Sequence, residues 1–386
     1  MLLSGSGRLA PAGRSPWAIR VERGLVAWIG DPADAPPDDV RVDLGAALVT
    51  SGLVDSHTHP IFAGDRSDEA AARLEGAPYT DGGILRTMRA TRDADDVTLA
   101  AALEARLRAA LAAGTTTVEC KSGYGLSLEE ELRHLRILRQ VAATLPIRVV
   151  ATFLGAHAVP PEATSAGEYA AHVADKMIPA VADEGLVSFV DVFADAGFFD
   201  LAATERIGRA AARAGLGLRL HAEQLSRTGA AELGVRLGAA SVDHLEQLDA
   251  NGVAALAGSG TVATLLPAPA VVLRDRLPPA RGLLDAGATV ALASDANAGT
   301  YGGFGTMPLV VGLGATLLGM TITEALTAAT AGGGAALSVP SLGRLEPGAP
   351  ADLVAWDEEH EGAFALRLGA VRPTRVWVGG REVSPT

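Results

Sequence analysis

The feature that most constrains this chain is a repeat. From about residue 48 a short β-branched run gives way to a loop and then to an Ala/Leu-rich helical stretch, and the unit recurs. The strand candidates are ALVTSGLVDSH, TTTVEC, RVVATFLGAH, VSFVDVFAD, LGLRLHAE, ASVDHLE, TVATLLP and TVALASDAN. Between them lie helical stretches such as DVTLAAALEARLRAALAAG and SLEEELRHLRILRQVAAT, the second opening on Ser127 with glutamates in its first turn. The stretch LAATERIGRAAARAG stops at Gly215. Strands alternating with helices build parallel βα units. Eight of them close a (β/α)8 barrel, whose active sites lie at the C-terminal ends of the strands. A doubly wound open sheet is the alternative fold, but no Gly-rich phosphate loop follows the first strand.

The two ends stand outside the repeat. Residues 1–47, with WAIRVERGLVAWIG and VRVDLGAALV, and residues 343–386, with GRLEPGAPADLVAWD and RPTRVWVGGREV, read as short alternating strands with Gly and Pro turns. Each is too small to stand alone, so they are expected to pair into one β-sandwich beside a barrel of residues 48–342. The segment 60–95 is long for a βα connection and is a candidate lid.

Composition narrows the partners. The chain of 386 residues is 48% hydrophobic, carries a net charge of -13 and has no basic run longer than a pair. Nucleic acid and anionic membrane surfaces need a positive footprint that is lacking here, whereas a small anionic substrate remains open, because a single local arginine can reverse the field inside a pocket. The single cysteine, Cys120, excludes an intrachain disulfide and reads as a small buried hydrophobe. The opening MLLSGSGRLAPAGRSP lacks a signal-like apolar core, and PLVVGLGATLLGMTITEAL is broken by glycines, so a cytoplasmic protein is expected.

Five of the eight histidines fall at predicted strand ends: His57 and His59 after strand one, His157 after strand three, His221 after strand five, His244 after strand six. Asp295 ends strand eight. Residues i and i+2 of a strand share a face, so His57 and His59 present two nitrogens together, and in a closed barrel the other strand ends converge on the same mouth. Imidazoles with one carboxylate suit Zn2+ or Fe2+. His134 lies mid-helix among Arg and Leu, and His172 and His360 lie in polar surroundings; these three are expected at the surface.

The motifs VDSHTHP, HAEQ, VDHLE and SDANAGT, in this order, resemble the amidohydrolase superfamily. Together with HTHPIFAGDR, ECKSGYGL and TFLGAHAVP they are most similar to its imidazolonepropionases, which open the imidazolone ring in histidine degradation. The resemblance implies a barrel with a flanking sandwich and a metal held by His57, His59, His221 and Asp295, either Zn2+ or Fe2+/Fe3+. A lysine after strand four bridges two metals in binuclear relatives; strand four here has none, and Lys121 follows strand two, where an ion pair with Glu119 or a neighbouring carboxylate is expected, so one ion per chain is implied. Asp295 would take a proton from water, and His244 would polarise the substrate carbonyl. Arg66 is the expected partner of a substrate carboxylate, with Tyr124, His157, Gln224, Asn297, Gly299 and Thr300 as further substrate contacts. The implied reaction converts 4-imidazolone-5-propanoate to N-formimidoyl-L-glutamate, and superfamily analogy suggests a homodimer.

Two other readings compete. Deaminases of the superfamily carry H-x-x-E after strand five, where this chain has Gln224, an amide that cannot shuttle a proton. That leaves the donor to the leaving nitrogen open between Glu223, two residues after His221, and protonated Asp295. A non-catalytic barrel would be expected to have lost ligands, and this chain keeps the whole set.

Overall fold

The computed structural model describes residues 1–76 and 82–383. Eight parallel strands form one sheet in sequential order: β1 (Leu53–Asp55), β2 (Thr115–Lys121), β3 (Arg148–Ala156), β4 (Phe189–Ala194), β5 (Gly217–Ala222), β6 (Ser241–His244), β7 (Val262–Leu265) and β8 (Val290–Leu292). All eight strand candidates are found. Sequential parallel pairing requires a helical return outside the sheet each time, which is the (β/α)8 arrangement. The helices begin where their caps predict: Ser127 accepts from Glu130 N ahead of Leu128–Ala142, and Asp95 accepts from Thr98 N ahead of Asp96–Ala112. Helix Leu201–Arg213 ends at Gly215, whose φ of 73° suits glycine.

β1 and β8 close the barrel beyond their own ends. Asp295 N donates to His57 O at 3.0 Å and His59 N donates to Ala296 O at 2.9 Å. Below this seam, Asp55 accepts from Ser294 N at 3.0 Å and from Ser294 Oγ at 2.6 Å. The closing bonds thus run through the residues that the sequence marks as ligands.

The first strand candidate divides in two. Val49–Ser51 pairs antiparallel with Leu353–Trp356 in a separate four-stranded sheet, and only Leu53–Asp55 joins the barrel. The break is at Gly52, where a Cβ would stand 2.1 Å from Thr116 Oγ1. Residues 1–43 supply the second four-stranded sheet, and the two sheets share a core built on Leu3, Trp17, Ile19, Leu353 and Trp377. This is the expected sandwich of N- and C-terminal segments. The connection 60–95 is not an open loop: it holds helices Ser67–Leu74 and Gly82–Asp93, and residues 77–81 of the candidate lid lie outside the described residues. No helix among the described residues is long and apolar enough to cross a membrane.

His134 departs from expectation. It lies on the inner face of Leu128–Ala142, fully buried, with neither ring nitrogen hydrogen-bonded, whereas His172 and His360 are exposed. The helix turns His134 toward the side of Leu135 and Leu138, and the arginines around it in sequence occupy the outer face. Burial, helped by Arg133 and Arg92, lowers its pKa from 6.5 to about 3. The folded state therefore disfavours protonation, and this site costs no stability above pH 6.5 but destabilises progressively as pH falls toward 3. His134→Leu is expected to gain about 2 kcal/mol over the parent between pH 8 and pH 5, read as a larger difference in Tm at pH 5. Equal differences at both pH values would contradict the buried, neutral imidazole.

Candidate metal centre

The strand ends bring four donor atoms together. His59 Nε2 is 3.3 Å from His57 Nε2, 3.4 Å from His221 Nε2 and 3.4 Å from Asp295 Oδ1, and His57 Nε2 is 3.6 Å from Asp295 Oδ1. Donors at about 2.1 Å from a tetrahedral ion stand about 3.4 Å apart, so these four contacts are near the spacing of a zinc-like site, and His57, His59 and Asp295 form one group compact enough to hold an ion.

The tautomers fit the same reading. His57 Nδ1 donates to Asp243 Oδ2 at 2.7 Å, and His221 Nδ1 donates to Asp191 Oδ1 at 3.1 Å. Each bond leaves Nε2 as a bare lone pair. Burial holds both rings below the usual imidazole pKa, so they are neutral. A cation between them would accept both lone pairs. The charge balance agrees: the carboxylates of Glu119, Asp191, Asp243 and Asp295 outnumber the cations Lys121 and Arg219 that face them, and a divalent ion would offset that negative excess. Asp55, pushed up to about 7 by burial, is part-ionised at neutral pH and adds to that excess.

Two cations complete the support. Lys121 Nζ bridges Glu119 Oε1 at 2.7 Å and Asp191 Oδ2 at 2.8 Å, the ion pair expected for it, and Arg219 Nη2 donates to Asp243 Oδ2 at 2.9 Å. Although burial opposes their charge, the facing carboxylates raise both pKa values. Asp191, Asp243 and Arg219 were not picked out from the sequence, and Glu119 was named only as a partner for Lys121. A signal was available for two of them, since Asp191 and Arg219 are charges within mainly apolar strands and Arg219 shares a face with His221.

His244 turns at φ 82°, its Nδ1 3.5 Å from Glu246 Oε1 and its ring centroid 5.3 Å from that of His221. Asp295 also has positive φ, at 47°, a sparsely populated geometry for a residue other than glycine. A narrow cavity opens above the donors, and its wall includes Arg66, Tyr124, His157, Gln224, Asn297 and Thr300.

Within that wall, Arg66 donates through Nε and Nη2 to Glu69 at 2.8 and 2.6 Å, and it lies against Gly299, where a Cβ would stand 2.1 Å from Nη1. Asn297 is placed differently from expectation. Its amide oxygen accepts from Gly299 N and Thr300 N at 2.7 and 2.8 Å, and its NH2 donates to Asp295 O and Thr300 Oγ1 at 2.7 and 2.6 Å. Those four bonds exhaust the amide, so Asn297 shapes the loop instead of offering a free side chain to substrate.

Glu223 is the clear correction. Its φ of 56° ends the strand alternation and turns the carboxylate away from the mouth. It accepts from Gly229 N and Ala230 N, both at 2.8 Å, at the start of helix Ala230–Leu237, and from Arg227 at 3.1 Å. It does not share the face of His221 and is not part of the cavity wall.

This barrel, its flanking sandwich and the imidazole-rich mouth are the architecture of the amidohydrolase family, and the chain belongs to it, with residues 48–383 matching. Imidazolonepropionases resemble it along nearly the whole length. That of Rhizorhabdus wittichii is 45% identical over 374 residues, covering 94% of this chain and 93% of the relative, and that of Pseudomonas putida is 44% identical over 377 residues, covering 95% and 94%. Among solved structures, 5-methylcytosine deaminase from Klebsiella pneumoniae superposes with a TM-score of 0.81 at 15% identity, covering 100% of this chain and 97% of that one. An adenosine deaminase from Xanthomonas campestris with bound zinc gives a TM-score of 0.73 at 19% identity, covering 99% and 92%. At those identities the likeness establishes the fold.

Removing a carboxylate behind a ligand should weaken the centre without removing a donor. Asp243→Asn is expected to lower zinc affinity by about 10- to 100-fold, measured by competition with a chromophoric chelator. Unchanged affinity would show that the Asp243–His57 bond does not prepare the ligand.

Proposed function

We propose that the chain is an imidazolonepropionase, hydrolysing the ring carbonyl–nitrogen bond of 4-imidazolone-5-propanoate to give N-formimidoyl-L-glutamate. The observation that carries this reading is the convergence of the four donors below a small cavity whose wall includes a guanidinium, in a chain about 45% identical to imidazolonepropionases. His57, His59, His221 and Asp295 would hold one divalent ion, zinc or iron. Such an ion supplies a Lewis acid that acidifies water and polarises a carbonyl.

The protein's own groups account for the remaining steps. Burial would raise the Asp295 carboxyl, but the imidazoles facing it, His59 first and then His244, keep its pKa below the ordinary value. It is therefore a carboxylate able to take the water proton. Glu223 faces away, so Asp295 is also the group placed to return that proton to the ring nitrogen as the C–N bond breaks. The carbonyl carbon becomes the new carboxylate, and the nitrogen leaves as the formimidoyl amine. His244, with Nδ1 turned to Glu246, is placed to present its other nitrogen to the developing oxyanion. Arg66, oriented by Glu69, would bind the propionate carboxylate.

Gln224 lines the cavity at the position where deaminases of the superfamily carry a proton-shuttling glutamate. Water should therefore open the ring without releasing ammonia. Incubation with freshly generated imidazolone propionate is expected to give N-formimidoyl-L-glutamate, identified by mass spectrometry, with no ammonia in the same sample. Ammonia from a cyclic amidine or aminopyrimidine, with the imidazolone untouched, would overturn the proposal.

The contact between Gly299 and Arg66 supplies a second test. Gly299→Ala forces the guanidinium to move, and is expected to raise KM by about 10- to 100-fold with kcat nearly unchanged, the signature of lost binding to a remote substrate group. An unchanged KM would remove Arg66 from substrate recognition.

A further inference from the structure

The loop that carries Tyr124 is wrapped around a side chain outside the cavity wall. Residues 122–126 run Ser-Gly-Tyr-Gly-Leu between β2 and helix Leu128–Ala142, with Gly123 at φ 113° and Leu126 at φ 52°. The turn directs three backbone N–H groups to one point. Glu131, buried in the first turns of the helix, fills it: Oε2 accepts from Gly123 N at 3.0 Å, and Oε1 accepts from Gly125 N and Leu126 N, both at 2.8 Å. Converging backbone N–H groups make an anion-binding concavity, and here the anion is the chain's own carboxylate. Gly125 permits the approach, since a Cβ there would stand 2.7 Å from Glu131 N.

The tie continues into the cavity through Gly123. Its carbonyl oxygen accepts from His157 Nδ1 at 2.9 Å, which fixes the proton on Nδ1 and leaves the Nε2 lone pair for the mouth. The His157 ring stacks on His59 with centroids 5.1 Å apart and planes at 24°, and the Tyr124 ring centroid lies 5.2 Å from that of His157. Both rings line the cavity, and both are held by the loop that Glu131 grips.

We propose that Glu131 is a positioning residue for substrate binding: by holding the N–H groups of Gly123, Gly125 and Leu126, it sets the place of the Tyr124 ring and the tautomer of His157. The effect on turnover rests on the hydrolase reading of this mouth, whereas the effect on His157 does not. Glu131→Gln keeps the size of the side chain but sets an NH2 group against a backbone N–H.

The experiment uses zinc-loaded, full-length protein labelled with nitrogen-15 at histidine. In the parent, the His157 resonance, assigned by its loss in His157→Gln, is expected to show a protonated Nδ1 and a bare Nε2. In Glu131→Gln that signal should shift toward the other tautomer. KM for imidazolone propionate should rise by about 10- to 100-fold, the effect of one lost hydrogen bond to a charged group. With Tyr124→Phe and His157→Gln already in place, the same substitution should change KM by less than about twofold, because its route to the substrate is gone.

Three results would each overturn the proposal: a protonated Nε2 in the parent, an unchanged KM and His157 signal in the folded variant, or the same KM factor in both backgrounds. If Glu131→Gln does not fold, Glu131→Asp, one methylene too short to reach all three N–H groups, takes its place with the same expected shifts and the same overturning results. If no form turns over imidazolone propionate, the substrate reading falls, and the resonance still decides whether the loop fixes His157.

Discussion

The structure depends on two buried chains of charge beneath the mouth, Lys121–Asp191–His221 and Arg219–Asp243–His57. Each starts on a cation with no access to solvent, passes through a carboxylate and ends on an imidazole whose remaining nitrogen faces the centre. Burying a charge is unfavourable unless it is paired, and a half-satisfied network is worse than an apolar one. Lysine and arginine therefore cannot be removed independently of the carboxylates, nor the carboxylates independently of the histidines. The interior that many barrels fill with aliphatic layers is here used to fix tautomers.

The closure of the barrel serves the same end. β1 and β8 are joined at the level of His57, His59, Asp295 and Ala296, so the seam and the donor set are one structure. The positive φ angles of His244 and Asp295 fall at the strand ends, where the side chain has to leave the pleat to point inward. Arg66, Glu69, Arg73 and the carbonyl of Gly299 form a hydrogen-bonded chain across the rim, linking the segment after β1 to the loop after β8.

Much of this was legible from alternation. Eight β-branched runs gave eight strands, and the i, i+2 rule placed His57 beside His59. The same rule failed at Glu223 because it assumes that the strand continues, and a single left-handed residue ended it. His134 was misplaced for a related reason: charged neighbours in sequence say little about which face of a helix is covered, and that depends on elements far along the chain. Asp191 and Asp243 were passed over because the histidines next to or near them drew the functional reading. Yet an aspartate in the middle of an apolar strand is itself anomalous, and pairing it with Lys121 and Arg219 required knowing which strands are neighbours. Asn297 carried a plausible side chain for substrate, but the loop's own four hydrogen bonds occupy its amide.

On the proposed reading, these buried chains prepare one divalent site and that site does the chemistry. That reading is tested most directly by stripping the protein with a chelator and returning Zn2+ or Fe2+ in small steps, following hydrolysis of imidazolone propionate at each addition. Activity should be absent at the start, rise linearly and stop at one equivalent per chain. Full activity in the stripped protein, or a rise that continues to a second equivalent, would contradict the account.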